Sequence, residues 1–134
     1  MKTLVIYNTR TGATEQYAKW VAEMVGVPAK KFEEATEQEL EECQKLYILS
    51  GTYGGQMPLA DFLNERWQVL AGKNITAIAV GMVAKNHWWT KLSYKRVPKK
   101  IRDGIKFHKV IGWSENNEKT KAAVKKENLK DIIG

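Results

Sequence analysis

The chain has 134 residues, 43% of them hydrophobic and 28% charged, which is enough for one buried core, too short for two ordinary domains and too apolar for a disordered segment. One cysteine and two histidines exclude an internal disulfide and any Cys/His metal cluster. The formal charge of +7 is uneven, with 7 Lys/Arg against 10 Asp/Glu in residues 1–67 and 15 against 5 in residues 68–134; the positive half suits an acidic protein partner, an anionic membrane surface or simply a solvated lysine-rich face.

Thr3-Leu4-Val5-Ile6-Tyr7 is too short an apolar run for a secretory segment, has no small-residue cleavage site after it, and reads as a strand buried on both faces. From Gly12 to Met24, Ala13, Tyr17, Trp20, Val21 and Met24 recur at helical spacing, with Gly26 as the stop. A weak strand is expected over Ala29 to Phe32. Thr36 followed by Glu39 has the spacing of a capping box for a short surface helix through Cys43.

Lys45 to Ser50 is a second apolar strand, broken by Gly51-Thr52-Tyr53-Gly54-Gly55. Pro58 starts a helix carrying Phe62, Leu63, Trp67 and Leu70, and ending at Gly72. Ile75 to Val80 is a third buried strand. An irregular segment, Met82 to Trp89, precedes a short helix start at Val97-Pro98-Lys99-Lys100-Ile101, and Phe107 to Trp113 reads as the last strand. Ala122, Ala123, Leu129, Ile132 and Ile133 suggest a closing helix, weakened by Asn128. Strands alternating with helices give an α/β chain with a doubly wound parallel sheet. No apolar stretch approaches the roughly 20 residues that cross a bilayer, so a cytoplasmic protein is expected, with contact at the periphery of a membrane left open by the basic half.

Ligands of such sheets bind beyond the carboxyl ends of the strands. The loop Asn8-Thr9-Arg10-Thr11-Gly12-Ala13-Thr14 sets three hydroxyls around a glycine where a helix begins. Unpaired amides, the helix dipole and the hydroxyls together make a phosphate seat. The loop lacks the GxxxxGK[ST] lysine and the GxGxxG spacing, so a monophosphate suits it better than a triphosphate or a dinucleotide. The same residues would also serve as an ordinary threonine-rich helix cap.

Thr9-x-Thr11-Gly12-x-Thr14 resembles the phosphate loop of the flavodoxin family, [ST]-x-T-G-x-T directly after the first strand. The resemblance extends to Tyr53-Gly54 in the second loop and to the order of elements over essentially the whole chain. It implies one flavodoxin-like domain over residues 1–134, a five-stranded parallel sheet of order 2-1-3-4-5 with helices on both faces, and FMN as cofactor. It further implies that Thr9, Thr11 and Thr14 bond the FMN phosphate, with backbone N–H groups of Arg10, Thr11, Gly12, Ala13 and Thr14 around it. Tyr53 would stack on the isoalloxazine, Gly54 would permit the peptide to turn over on reduction, and Thr52, Gly55 and Gln56 would line the same loop. Trp88 is the candidate for the other flavin face, with Trp89 and His87 as alternatives and simple tryptophan packing as the fourth reading.

The chain departs from the family in charge and in its third loop, Met82-Val83-Ala84-Lys85-Asn86-His87-Trp88-Trp89. Residues 85–109 hold nine Lys/Arg against Asp103 alone. That composition resembles the menaquinone-dependent protoporphyrinogen oxidases, although their long insertion is shortened or absent. The implied function is electron transfer by FMN with no catalytic residue from the protein and an acidic redox partner. The alternatives are a small FMN oxidoreductase passing electrons to a quinone and a phosphate-binding regulator without flavin. An anionic membrane or quinone contact is a further reading of the basic segment, and nucleic acid is disfavoured because no recognition motif accompanies it. Cys43 is expected to pack, His108 to flank a strand, and Ser50 lacks the G-x-S-x-G context of a hydrolase.

Overall fold

The computed structural model describes residues 2–8, 12–51, 58–81, 105–111 and 126–129. Five strands form one sheet in the order β2-β1-β3-β4-β5: β1 (Thr3–Asn8), β2 (Ala29–Lys31), β3 (Lys45–Gly51), β4 (Asn74–Gly81) and β5 (Ile105–Ile111). All four pairings are parallel. The helices are α1 (Ala13–Val25), α2 (Glu37–Glu42) and α3 (Pro58–Leu70), with 3-10 turns at Phe32–Glu34 and Lys126–Leu129.

Successive side chains of a strand point to opposite faces, and β1 puts apolar groups on both. Leu4 and Ile6 join Leu46, Ile48, Ile75 and Ala77 beneath α3, where Leu59, Leu63 and Leu70 are fully buried. Val5 and Tyr7 join Tyr47, Leu49, Ile78 and Val80 beneath α1, through Tyr17, Ala18 and Val21. This double burial explains the unbroken apolar runs of β1, β3 and β4. Helix α1 stops where Gly26 turns left-handed at φ 77° and donates its N–H to Ala22 O at 2.8 Å.

The short α2 rests on one core anchor, Leu40, and on its ends. Thr36 Oγ1 accepts from Glu39 N at 3.1 Å, and a Glu39 carboxylate oxygen accepts from Thr36 N at 3.1 Å, so the capping box expected from the sequence forms. At its other end Lys73 Nζ donates to Glu41 O at 2.7 Å and Cys43 O at 2.6 Å, satisfying carbonyls that a helix leaves without partners. Cys43 is buried in the same cluster, as its packing role requires.

The differences from expectation lie at the edges. β2 ends at Lys31 because a 3-10 turn begins at Phe32. β5 starts at Ile105, two residues earlier than the apolar pattern indicates, since Ile105 pairs with Ile75. His108 lies inside β5 opposite Ile78 and does not flank it. Within the tail the described residues form the 3-10 turn Lys126–Leu129, which delivers Leu129 into the core under α1. The helix start at residues 97–101 lies outside the described residues.

The Glu39 carboxyl is held below the usual carboxylate range, first by the Lys30 ammonium and then by Thr36 N–H; that of Glu42 is lowered first by Lys2 and then by Gln38. A depressed folded-state pKa contributes stability that is fully present above about pH 5 and is lost as pH falls through the folded value. Lys30→Met should therefore lower stability most near pH 7, and urea unfolding should show the gap from the native chain closing toward pH 3. A gap that does not change with pH would mean that the ion pair contributes nothing.

Candidate functional site

Strand register brings the carboxyl ends of β1, β3, β4 and β5 level with one another. Asn8 lies opposite Ser50, Gly51 opposite Val80, and Gly81 opposite Ile111. The chain leaving β1 enters α1 on one face of the sheet, whereas the chain leaving β3 enters α3 on the other. Strand order reverses between β1 and β3, so a crevice opens there.

At the β1 side, Gly12 caps α1 with φ 92° and ψ −14°, a left-handed conformation that a side chain would strain. Being glycine, this cap residue supplies no side-chain hydrogen bond to the helix. The first intrahelical bond runs from Gln16 N to Gly12 O at 3.0 Å, so the amides of Ala13, Thr14 and Glu15 precede the helical ladder and have no acceptor within it. Ala13 is 1% and Thr14 2% exposed. The Thr14 hydroxyl makes no hydrogen bond among the described residues. A buried hydroxyl calls for a hydrogen-bond partner, and one in the first turn of a helix suits an oxyanion, whose charge the helix dipole also favours.

At the β3 side, Ser50 is fully buried. Its Oγ accepts from Leu59 N at 3.1 Å and donates to Gly51 O at 3.2 Å. One hydroxyl thus ties the end of β3 to the start of α3, fixing both ends of the intervening loop. Pro58 opens α3, where its missing N–H costs nothing, and Asp61 in the first turn complements the dipole.

Of the residues assigned from sequence, Gly12, Ala13 and Thr14 are brought together at the start of α1. Thr9, Arg10, Thr11, Thr52, Tyr53, Gly54, Gly55, Gln56 and Trp88 lie outside the described residues. Two features escaped the sequence reading. One is Ser50, which lacks a hydrolase context and whose role as a strand-end anchor depends on Leu59, a residue on the next helix. The other is Tyr7, 6% exposed, whose hydroxyl donates to Glu15 Oε1 at 3.3 Å. Burial, and then the Glu15 charge, push the Tyr7 phenol above its ordinary pKa, so it stays a donor.

Among the described residues no group of His, Cys, Asp and Glu could hold a metal ion, and no helix is long and apolar enough to cross a membrane. Among the described residues, two shallow depressions lie away from the crevice. One of about 370 Å³ runs beside β2 between Tyr7, Lys19 and Pro28; another of about 300 Å³ lies at the amino ends of the strands by Lys2, Glu39 and Glu42.

A family model described as a flavodoxin domain matches residues 4–126. Among solved structures, a flavodoxin from the domain Archaea is 18% identical with a TM-score of 0.66, covering 99% of this chain and 96% of that one. Oxidised Flavodoxin 2 from Bacillus cereus is 19% identical with a TM-score of 0.67, covering 99% and 95%. A short-chain flavodoxin associated with a non-canonical PDU bacterial microcompartment is 20% identical with a TM-score of 0.58, covering 100% of both chains. At these identities the likeness is one of fold, and no curated protein matches. The family model spans nearly the whole chain and the sheet has the strand order expected of it: the chain belongs to the flavodoxin domain family.

Proposed function

We propose that this chain is an FMN-binding electron-transfer protein. The observation that carries the reading is the start of α1, with left-handed Gly12 and the buried hydroxyl of Thr14, which bonds none of the described residues, at the end of the sequence Thr9-x-Thr11-Gly12-x-Thr14 in a flavodoxin domain. A phosphate monoester needs several donors converging at one helix start, and these residues would supply them. Thr9, Thr11 and Thr14 and the amides from Arg10 to Thr14 would hold the phosphate. Tyr53 would stack on the ring, Trp88 would cover its other face, and Thr52, Gly54, Gly55 and Gln56 would contact its polar edge. FMN, when bound, takes up and releases the electrons; the protein binds, orients and tunes it.

The strongly basic segment 85–109 would meet an acidic redox partner, in a cytoplasmic setting. The same segment supports the second reading, a small FMN oxidoreductase handing electrons to a quinone at the surface of an anionic membrane.

Purified protein titrated with FMN should take it up with a change in flavin absorbance. Stepwise anaerobic reduction that accumulates a one-electron level would support the carrier, and direct passage to the two-electron level would favour the oxidoreductase. No uptake would overturn both. Thr11→Val and Thr14→Val should each weaken FMN binding by about 1 to 3 kcal/mol, roughly five- to 150-fold in Kd. Thr14→Val should leave thermal stability nearly unchanged, because its hydroxyl bonds no described residue; unchanged FMN affinity would count against the phosphate seat. Charge reversal at Lys95, Arg96, Lys99 and Lys100 should slow electron transfer to an acidic partner, with the deficit shrinking at high salt. An unaffected rate would leave the segment a solubilising face.

A further inference from the structure

The residue three places after a helix cap is where glutamate commonly folds back onto the N-terminal amides. Among the described residues three glutamates are so placed. Glu39 in α2 accepts from Thr36 N at 3.1 Å, and Glu34 in the 3-10 turn accepts from Lys31 N at 2.8 Å. Glu15 in α1 is turned elsewhere: its Oε1 accepts from the Tyr7 hydroxyl at 3.3 Å and lies 3.8 Å from Lys19 Nζ. At the start of α1 the cap residue is Gly12, which has no side chain with which to bond those amides.

The geometry points to Tyr7 as a positioning residue for the phosphate seat, its hydroxyl holding the Glu15 carboxylate off the start of α1 so that the first-turn amides face the ligand. This rests on the reading that a phosphate binds there. A carboxylate and a phosphate are rival anions for the same amides and dipole, and they repel each other at close range. Removing the restraint therefore lets the protein's own anion compete with the ligand's.

The anchor is suited to the task. Tyr7 is the penultimate residue of β1, and its ring is packed in the core beneath α1. Its phenol is therefore held by the sheet, independently of the helix start that it serves. Lys19, one turn further along α1, adds a second attraction from the solvent side. The other carboxylates acting on the phenol, Glu34 and Glu33, come from the turn after β2 and add negative potential near it. They act in the same direction as burial and Glu15, which raise the pKa of a phenol already protonated at neutral pH.

Riboflavin has the isoalloxazine of FMN and no phosphate, so the pair separates an effect on the phosphate seat from general loosening. Tyr7→Phe keeps the buried ring and removes only the hydroxyl. It should weaken FMN binding by about five- to tenfold, leave riboflavin binding unchanged, and weaken competition by inorganic phosphate by a similar factor. In a Glu15→Ala background the same Tyr7→Phe change should have no effect on FMN, because there is no carboxylate left to restrain. Glu15→Ala by itself should bind FMN more tightly, by about twofold, since it removes a negative charge beside the phosphate; this exposed-side change keeps the test available if Tyr7→Phe folds poorly.

Three results would overturn the inference while FMN binding by the native chain stands. They are native-like FMN affinity in Tyr7→Phe, equal weakening of FMN and riboflavin, and a Tyr7→Phe penalty that persists without Glu15. A native chain that binds riboflavin as tightly as FMN would instead overturn the phosphate seat itself, and the role of Tyr7 with it.

Discussion

The parallel pairing of β1 with β3, in register from Thr3 opposite Lys45 to Asn8 opposite Ser50, is the constraint on which the site depends. Both strands are buried on both faces, so neither can slip by one residue without exchanging its two apolar sets and disrupting two cores at once. Their carboxyl ends therefore finish level. The following helices pack on opposite faces, and the two loops must diverge from adjacent points. The crevice is thus a consequence of sheet register and of the hand of the crossovers, which is why its location does not depend on any single loop residue.

Much of this was legible in the sequence because the signals are local. An uninterrupted apolar run such as Leu46-Tyr47-Ile48-Leu49 can only be a strand with two buried faces once Gly51 breaks it. Thr36 and Glu39 carry their capping box in their spacing, and Gly12 and Gly26 mark the ends of α1 by needing positive φ. The edges were less legible. β2 has three residues, none of them buried, and β5 interleaves Lys106 and Lys109 with its apolar residues, so neither bears a clean pattern. The roles of Ser50 and Tyr7 are tertiary: nothing near Ser50 in sequence reveals that Leu59 N will meet it, and eight residues separate Tyr7 from its carboxylate.

Charge is organised in the same way. In the acidic first half the paired cations act locally: Lys2 meets Glu42 and Lys30 meets Glu39, while Lys73 from the second half closes the end of α2 on backbone carbonyls. Exposed pairs of this kind contribute little each, but together they hold a helix of six residues that has a single buried anchor. The second half carries 15 Lys/Arg against 5 Asp/Glu, a surplus of the kind that attracts an acidic surface at long range.

An anion seat made from amides and hydroxyls works differently from one made with lysines. Its donors are fixed dipoles, so its strength depends on placement more than on net charge, and it is less easily screened by salt than a surface cation would be. It is correspondingly vulnerable to any acceptor within reach. In this fold the nearest charged side chain described at the start of α1 is an acid, Glu15, and the structure directs it toward a phenol and a lysine. A glutamate in the first turn still favours the helix through its dipole. Restrained sideways, it keeps that benefit without filling the site, so that helix stability and ligand access, which would conflict at an ordinary capped N-terminus, are reconciled by one hydroxyl from the neighbouring strand.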